Sequence, residues 1–244
     1  MHGYLDTHRT TKAVLWVLFA LIVAAAVSWA QALGKVDQQV EEGEFTILVS
    51  GREIGNEKFV VQRGPDSVAS NSVVEFRSPT QPAQRIRLES RLEMDGNYLP
   101  RQYSLKSDVD GKSGIISGTF DPNQVMFNYS GTGTPFRRGL LVGKQYTLLD
   151  SNIYHHFIFL VRRFNFKSRE KDQKFEVVIP QETDSGVLKI SRLKEDELTH
   201  RGRKRAMRVL LADSGALLIQ LWVDENLVLQ KIAVPGRALE VLRR

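Results

Sequence analysis

The chain has 244 residues, 42% of them hydrophobic and 25% charged, with a formal net charge of +6. These proportions are those of a globular protein and exclude general disorder. The absence of cysteine excludes disulfides, Cys-ligated zinc, iron–sulfur clusters, a thiol nucleophile and a lipid attached through cysteine. Asp6, Arg9 and Lys12 give the first twelve residues a net of +1, so +5 stays with the rest. A basic balance suits anionic partners such as membrane surfaces and acidic polymers.

Residues 13–27, AVLWVLFALIVAAAV, form an uninterrupted apolar run behind Arg9 and Lys12. Ser28-Trp29-Ala30 and Ala30-Gln31-Ala32 both fit a small-x-small cleavage rule. That order is the order of a secretory signal peptide over 1–32, cleaved near Ala30 or Ala32. The same low-charge stretch is long enough to be an uncleaved N-terminal membrane anchor, an apolar helix over about 13–33. Its positive end would then face the cytoplasm. Both readings export the remainder to the periplasm or cell envelope, with membrane contact only through an uncleaved N-terminal segment. Residues 33–43 are polar and predict a linker, and a single domain follows over 44–244.

From residue 44 onward the pattern is short strands. Phe45, Ile47 and Val49 alternate with more polar positions, glycines at 51–55 predict a turn, and 58–62 returns. Strands follow over 67–77, 84–94, 98–107, 115–120 and 124–129. The turn residues between them recur about every ten positions, as in an antiparallel meander. The glycine-rich stretch 131–135 lacks the Gly-Lys-Ser/Thr ending of a phosphate loop and predicts a loop lying over the sheet, followed by Arg137 and Arg138.

Residues 150–166, DSNIYHHFIFLVRRFNF, break the pattern. Asp150, Ser151 and Asn152 are N-cap residue types. Ile153, Phe157, Leu160, Val161 and Phe164 recur at helical spacing. Arg162 and Arg163 suit the negative end of a helix dipole. Together they predict a helix over about 151–164, apolar on nearly every side and therefore buried. Adjacent residues do not share a helix face, and neither His155 nor His156 has a carboxylate at i+3 or i+4. Packing is the simpler role for both, and no metal, cofactor or catalytic residue is assigned.

Strands resume over 175–180, 185–193, 203–212, 216–223 and 227–234, with a last edge strand over 238–242 and a polar turn, KEDELTHRGRK, over 194–204. Arg201, Arg203, Lys204, Arg205 and Arg208 form the densest basic cluster, a candidate surface for anionic partners. Without interleaved aromatics it does not suit nucleic acid. A solvated hairpin end is the simpler explanation.

The chain has neither a Gly-x-Ser-x-Gly elbow nor a His-Glu-x-x-His helix. An envelope hydrolase would need His155, His156 or His200 within hydrogen-bond reach of a serine and a carboxylate. The order of export signal, VSGREIGNEKF hairpin, long meander, glycine-rich crossing and DSNIYHHF helix resembles a family of bacterial envelope proteins known only as a domain of unknown function. In shape it is similar to the lipoprotein-carrier half-barrels. The resemblance implies a mainly β fold: a large curved antiparallel sheet, half-barrel or barrel-like, with one apolar helix in or over its concave face. It carries over no functional residues. Two functions follow as expectations. One is a noncatalytic envelope protein that binds a lipid-like or apolar ligand against Phe157, Leu160, Val161 and Phe164. The other is a structural or protein-interaction module that uses strand edges or the basic cluster.

Overall fold

The computed structural model describes residues 39–200 and 203–244. The signal peptide or anchor expected over 1–32, its cleavage near Ala30 or Ala32, and a helix over 13–33 lie outside these residues. Among the described residues no helix is long and apolar enough to cross a membrane.

The meander runs through β1 (Gln39–Val49), β2 (Arg52–Arg63), β3 (Ser67–Arg77), β4 (Arg85–Asp95), β5 (Pro100–Val109), β6 (Lys112–Asp121), β7 (Gln124–Gly131) and β8 (Phe136–Leu141). After β9 (Tyr146–Leu148) comes the helix α1 (His156–Arg163). The chain then continues through β10 (Asp172–Ile179), β11 (Asp184–Arg192), β12 (Asp196–His200), β13 (Arg203–Asp213), β14 (Leu218–Val223), β15 (Leu229–Val234) and β16 (Leu239–Arg243). The strands build one large, open, curved sheet in the order β8-β7-β6-β5-β4-β3-β2-β1-β16-β15-β14-β13-β11-β10-β9, with β12 paired to β13. The mainly β class with one inserted helix agrees with the sequence reading.

Several expectations are corrected. β1 begins at Gln39, so residues 39–43 of the expected linker are strand. The stretch QVEEG is mostly polar, and no alternation betrays the strand. It is held by pairing with β2 and by Glu41, which bridges Arg162 and Arg243. The first hairpin turns at Ser50 and Gly51, both with positive φ, rather than across 51–55. Gly55 instead lies within β2, where a Cβ would come within 2.1 Å of the Glu75 carbonyl oxygen. It permits a close approach of β2 and β3.

Residues 132–135 are a loop between strands, and after them comes the edge strand β8, which the sequence reading did not assign. The expected polar turn over 194–204 contains β12, which pairs with β13. Leu198 there helps cover Met207, Val209, Trp222 and Ala233, a small second cluster. The strand expected as a terminal edge, β16, is interior: it pairs with both β1 and β15. First and last strands are thus joined, and Val241 is fully buried between them. β9 and β10 run parallel, the exception in an otherwise antiparallel sheet. Parallel neighbours need a crossover, and α1 supplies it.

The helix is shorter than expected. Asn152 has φ 62° and helical turns start only at His156, so Asp150, Ser151 and Asn152 do not cap it. Ile158, Phe159, Leu160 and Val161 are all buried, in one core with Phe45, Val74, Leu105, Phe127, Val178 and Ile232 from strands across the sheet. The helix therefore fills the inside of the curve. Each such side chain contributes about 1.5–3 kcal/mol by burial.

Leu160→Ala is expected to lower stability by about 2–5 kcal/mol in urea denaturation, as in a close-packed core. A cost below about 1 kcal/mol would reveal an interior slack enough to collapse or to admit a ligand.

Candidate functional site

The inward face of the sheet carries polar residues where alternation calls for apolar ones. On β2 the inward positions are Glu57, Phe59 and Val61; on β3 they are Val68, Ser70, Ser72 and Val74. β4 adds Ser90 between Leu88 and Leu92, and β5 adds Tyr103. All of these side chains are buried. The serines are small, and the bulk that they omit makes room for rings projecting from the start of α1.

His155 occupies that room. Its Nδ1 lies 2.7 Å from Glu57 Oε1, and its Nε2 lies 3.1 Å from Ser70 Oγ. Glu57 Oε2 accepts the backbone N–H groups of Tyr154 at 2.9 Å and His155 at 3.0 Å. A strand carboxylate thereby satisfies the N–H donors of the turn that leads into the helix. The carboxylate can only accept, so Nδ1 carries the proton, and the imidazole bridges β2 and β3. Phe59 stacks on the ring at 5.7 Å, and Phe159 meets it edge-on at 5.9 Å.

His156 belongs to a second cluster. Its Nδ1 accepts the Asp150 N–H at 3.3 Å. Asp150 Oδ1 accepts the N–H groups of Ser151 and Gln181, both at 2.9 Å, and Oδ2 accepts the Tyr103 hydroxyl. His156 Nε2 has no partner among the described residues. Burial, reinforced by His155, holds the His156 imidazole well below its usual range. Burial also lifts the Asp150 carboxyl from 3.8 to about 6, against the downward pull of its hydrogen bonds. Burial and the Asp150 charge push the Tyr103 phenol up.

Ser70, His155 and Glu57 stand in the order of a nucleophile, its base and the group that orients the base. The hydrogen-bond reach required of an envelope hydrolase is therefore met. Access is not. All three side chains are 0% exposed, so no substrate carbonyl reaches Ser70 Oγ in this arrangement. The adjacent N–H groups of Tyr154 and His155, which could face an oxyanion, are spent on Glu57. This geometry serves to fasten the helix to the sheet.

The residues expected to line a ligand cavity are parts of the core itself. Leu160, Val161 and Phe164 are buried, and Phe157 is partly buried against the same cluster. The basic cluster is spread out. Arg201 and the side chain of Arg203 lie outside the description. Lys204 pairs with Glu197 at 3.3 Å on the β12–β13 hairpin, and Arg205 is exposed on the same hairpin. Arg208 stands apart, over the Phe166 ring at 5.5 Å. Among the described residues no group of three or more His, Asp or Glu could hold a metal ion.

No protein-family model matches this sequence, and comparison with curated proteins finds no match. Among solved structures, the chain is similar to a beta-barrel-like protein of the domain of unknown function DUF1849 from Brucella abortus. The TM-score is 0.55 at 10% identity, over 85% of this chain and 94% of that one. A DUF1089 family protein from Pseudomonas aeruginosa has a TM-score of 0.45 at 11% identity, over 74% of this chain and 90% of that one. The fold is thus that of a beta-barrel-like domain of unknown function, in agreement with the resemblance noted from the sequence.

Glu57→Ala leaves three buried donors unpaired and is expected to cost about 3–5 kcal/mol in urea denaturation, against about 1–3 for Ser70→Ala. A fluorophosphonate that labels activated serines should leave the native protein unmodified; labelling at Ser70 would contradict the closed geometry.

Asp150 also sets a pH dependence. Its folded value, about 6, exceeds the ordinary 3.8, so its contribution to stability is complete below pH 3.8 and is lost as pH rises through about 6. The gap is worth on the order of 3 kcal/mol. His156 acts oppositely, since it is protonated more readily when unfolded, and stability falls as pH drops below about 6.5. Comparison with Asp150→Asn, which keeps His156, isolates the carboxyl. From pH 7 to pH 4 the wild type should gain up to about 3 kcal/mol relative to the variant. A constant difference would refute this.

Proposed function

We propose that the protein is a noncatalytic, exported component of the cell envelope that holds a protein partner through the open edge of its sheet. The observation that carries this reading is the contrast between the two ends of the sheet. At one end Tyr146, Thr147 and Leu148 of β9 are all buried. At the other, β8 pairs only with β7, and its outer edge makes no backbone hydrogen bond to another described element.

Unpaired strand edges are templates for an added strand. β8 also presents apolar side chains: Leu141 is 84% exposed and Phe136 52%. The Phe136 ring lies flat on Tyr129 at 4.2 Å, which fixes its position for contact. Arg137 and Arg138, both exposed on the same strand, favour a partner with acidic residues. The export segment over 1–32 supports an envelope location. The filled interior weighs against the other expectation, a lipid-like ligand held beneath the helix. Neither a cofactor nor nucleic acid enters this reading.

A photo-crosslinking amino acid at position 141, introduced in the native host, should give one adduct of defined mass. The same probe at Val187, 55% exposed on β11, should give none. Phe136→Lys should weaken the adduct several-fold. Equal adducts from both positions, or none from 141, would count against β8 as the contact.

A further inference from the structure

We infer that the groove beside the end of α1 is a binding site for a single-tailed amphiphile with an anionic head group. It lies away from β8 and does not depend on that edge being an interface. The segment that fills the core comes to the surface here: Phe164 is buried, and Phe166, 4.9 Å away edge to face, is only partly covered. Phe166 joins Leu193, Val209 and Leu227 as the apolar lining of a groove of about 480 Å³, within the roughly 300–1,000 Å³ typical of small-molecule sites. Leu193 is 40% exposed, an apolar side chain left open to solvent inside a concave surface.

The polar lining supplies the head-group chemistry. Lys167, Arg192 and Arg208 border the same groove. The two guanidinium groups are seated on aromatic rings, Arg192 over Phe164 at 6.0 Å and Arg208 over Phe166 at 5.5 Å. Arg192 is held further by donating to the Ser168 carbonyl oxygen.

Some arginines of the sheet are neutralised by carboxylates: Arg87 by Glu75 and Glu89, Arg91 by Glu93, Arg244 by Glu44 and Glu53. Among the described residues, Lys167, Arg192 and Arg208 have no carboxylate within 4.0 Å. Glu195, the one acid in the lining, makes no ion pair with them. Unpaired guanidinium groups held in place suit a phosphate or carboxylate, because their planar fork matches the oxyanion and is weakly hydrated. An apolar floor next to such a pair adds an alkyl tail to the ligand. A free oxyanion would leave the floor empty, and a neutral lipid would leave the arginines unmatched.

The test uses the full-length protein and an alkyl phosphate carrying a diazirine in its chain. After irradiation, adducts should map to peptides containing Phe166, Leu193 or Leu227. Dodecyl phosphate should compete, while inorganic phosphate and dodecyl maltoside should compete at least fivefold less well. Arg192→Gln with Arg208→Gln, and separately Leu193→Asp, should each lower labelling fivefold or more. All three positions are exposed, so unchanged thermal midpoints will show that the variants fold. Labelling elsewhere, labelling that survives the arginine pair, or equal competition by inorganic phosphate or by the neutral glycoside would overturn the proposal. Labelling that requires anionic phospholipid vesicles, absent with the monomeric probe, would overturn it in favour of a membrane surface.

Discussion

One buried carboxylate fastens the inside of this protein to its wall. Glu57 projects inward from β2 and accepts two backbone N–H groups and the His155 ring at the start of α1. Burying a carboxylate costs several kcal/mol unless its hydrogen bonds are complete. Here three donors complete them, each such bond to a charged acceptor being worth about 1.5–3 kcal/mol. The same contact sets the height and rotation of the helix, since His155 must also reach Ser70 on the next strand. Moving α1 along the sheet would strand a buried charge, so the arrangement has one favourable position.

The sheet depends on that fixed helix. A long open sheet tends to curl or split. This one curls, and α1 with its flanking segments takes the space inside. β1 and β16 join the ends of the domain, so the second half of the sheet continues the first. The parallel β9–β10 pair brackets the helix and buries one sheet end. The other end, β8, pairs with β7 on one side and, among the described residues, with no strand on the other.

Polar chemistry is divided in a similar way. His155, His156, Asp150, Tyr103 and the inward serines are sealed in the core, where they specify position. Some of the charges that face solvent are paired, Arg87 with Glu75 on the neighbouring strand and Arg91 with Glu93 along its own. At the exit of the core-filling segment Arg192 and Arg208 lie over Phe164 and Phe166, beside the groove proposed for a small anionic amphiphile.

Much of the strand layout was legible because alternation and turn residues are local. β3, β4 and β7 lie within a residue or two of where alternation puts them. The helix was legible by its spacing, but its start was not: Asp150 to Asn152 resemble caps in sequence, while the donors of the turn that leads into it are met by Glu57, 98 residues away from His155. A local signal did exist. Glu57 shares the parity of Phe59 and Val61, which marks it as a charge on a buried face and therefore in need of a partner. β8 was missed because its side chains are exposed along most of its length, and β12 and the start of β1 because they are mostly polar; only pairing of the backbone makes them strands. By itself the sequence determined the class of fold and the identity of the buried helix, since periodicity follows from each residue's own preference for water or core. Only the tertiary structure decided that β16 is interior, that β8 is the open edge, that Ser70, His155 and Glu57 meet, and that Arg192 and Arg208 share a groove. Each of these depends on which distant segments the curl of the sheet brings together, and no local pattern records that.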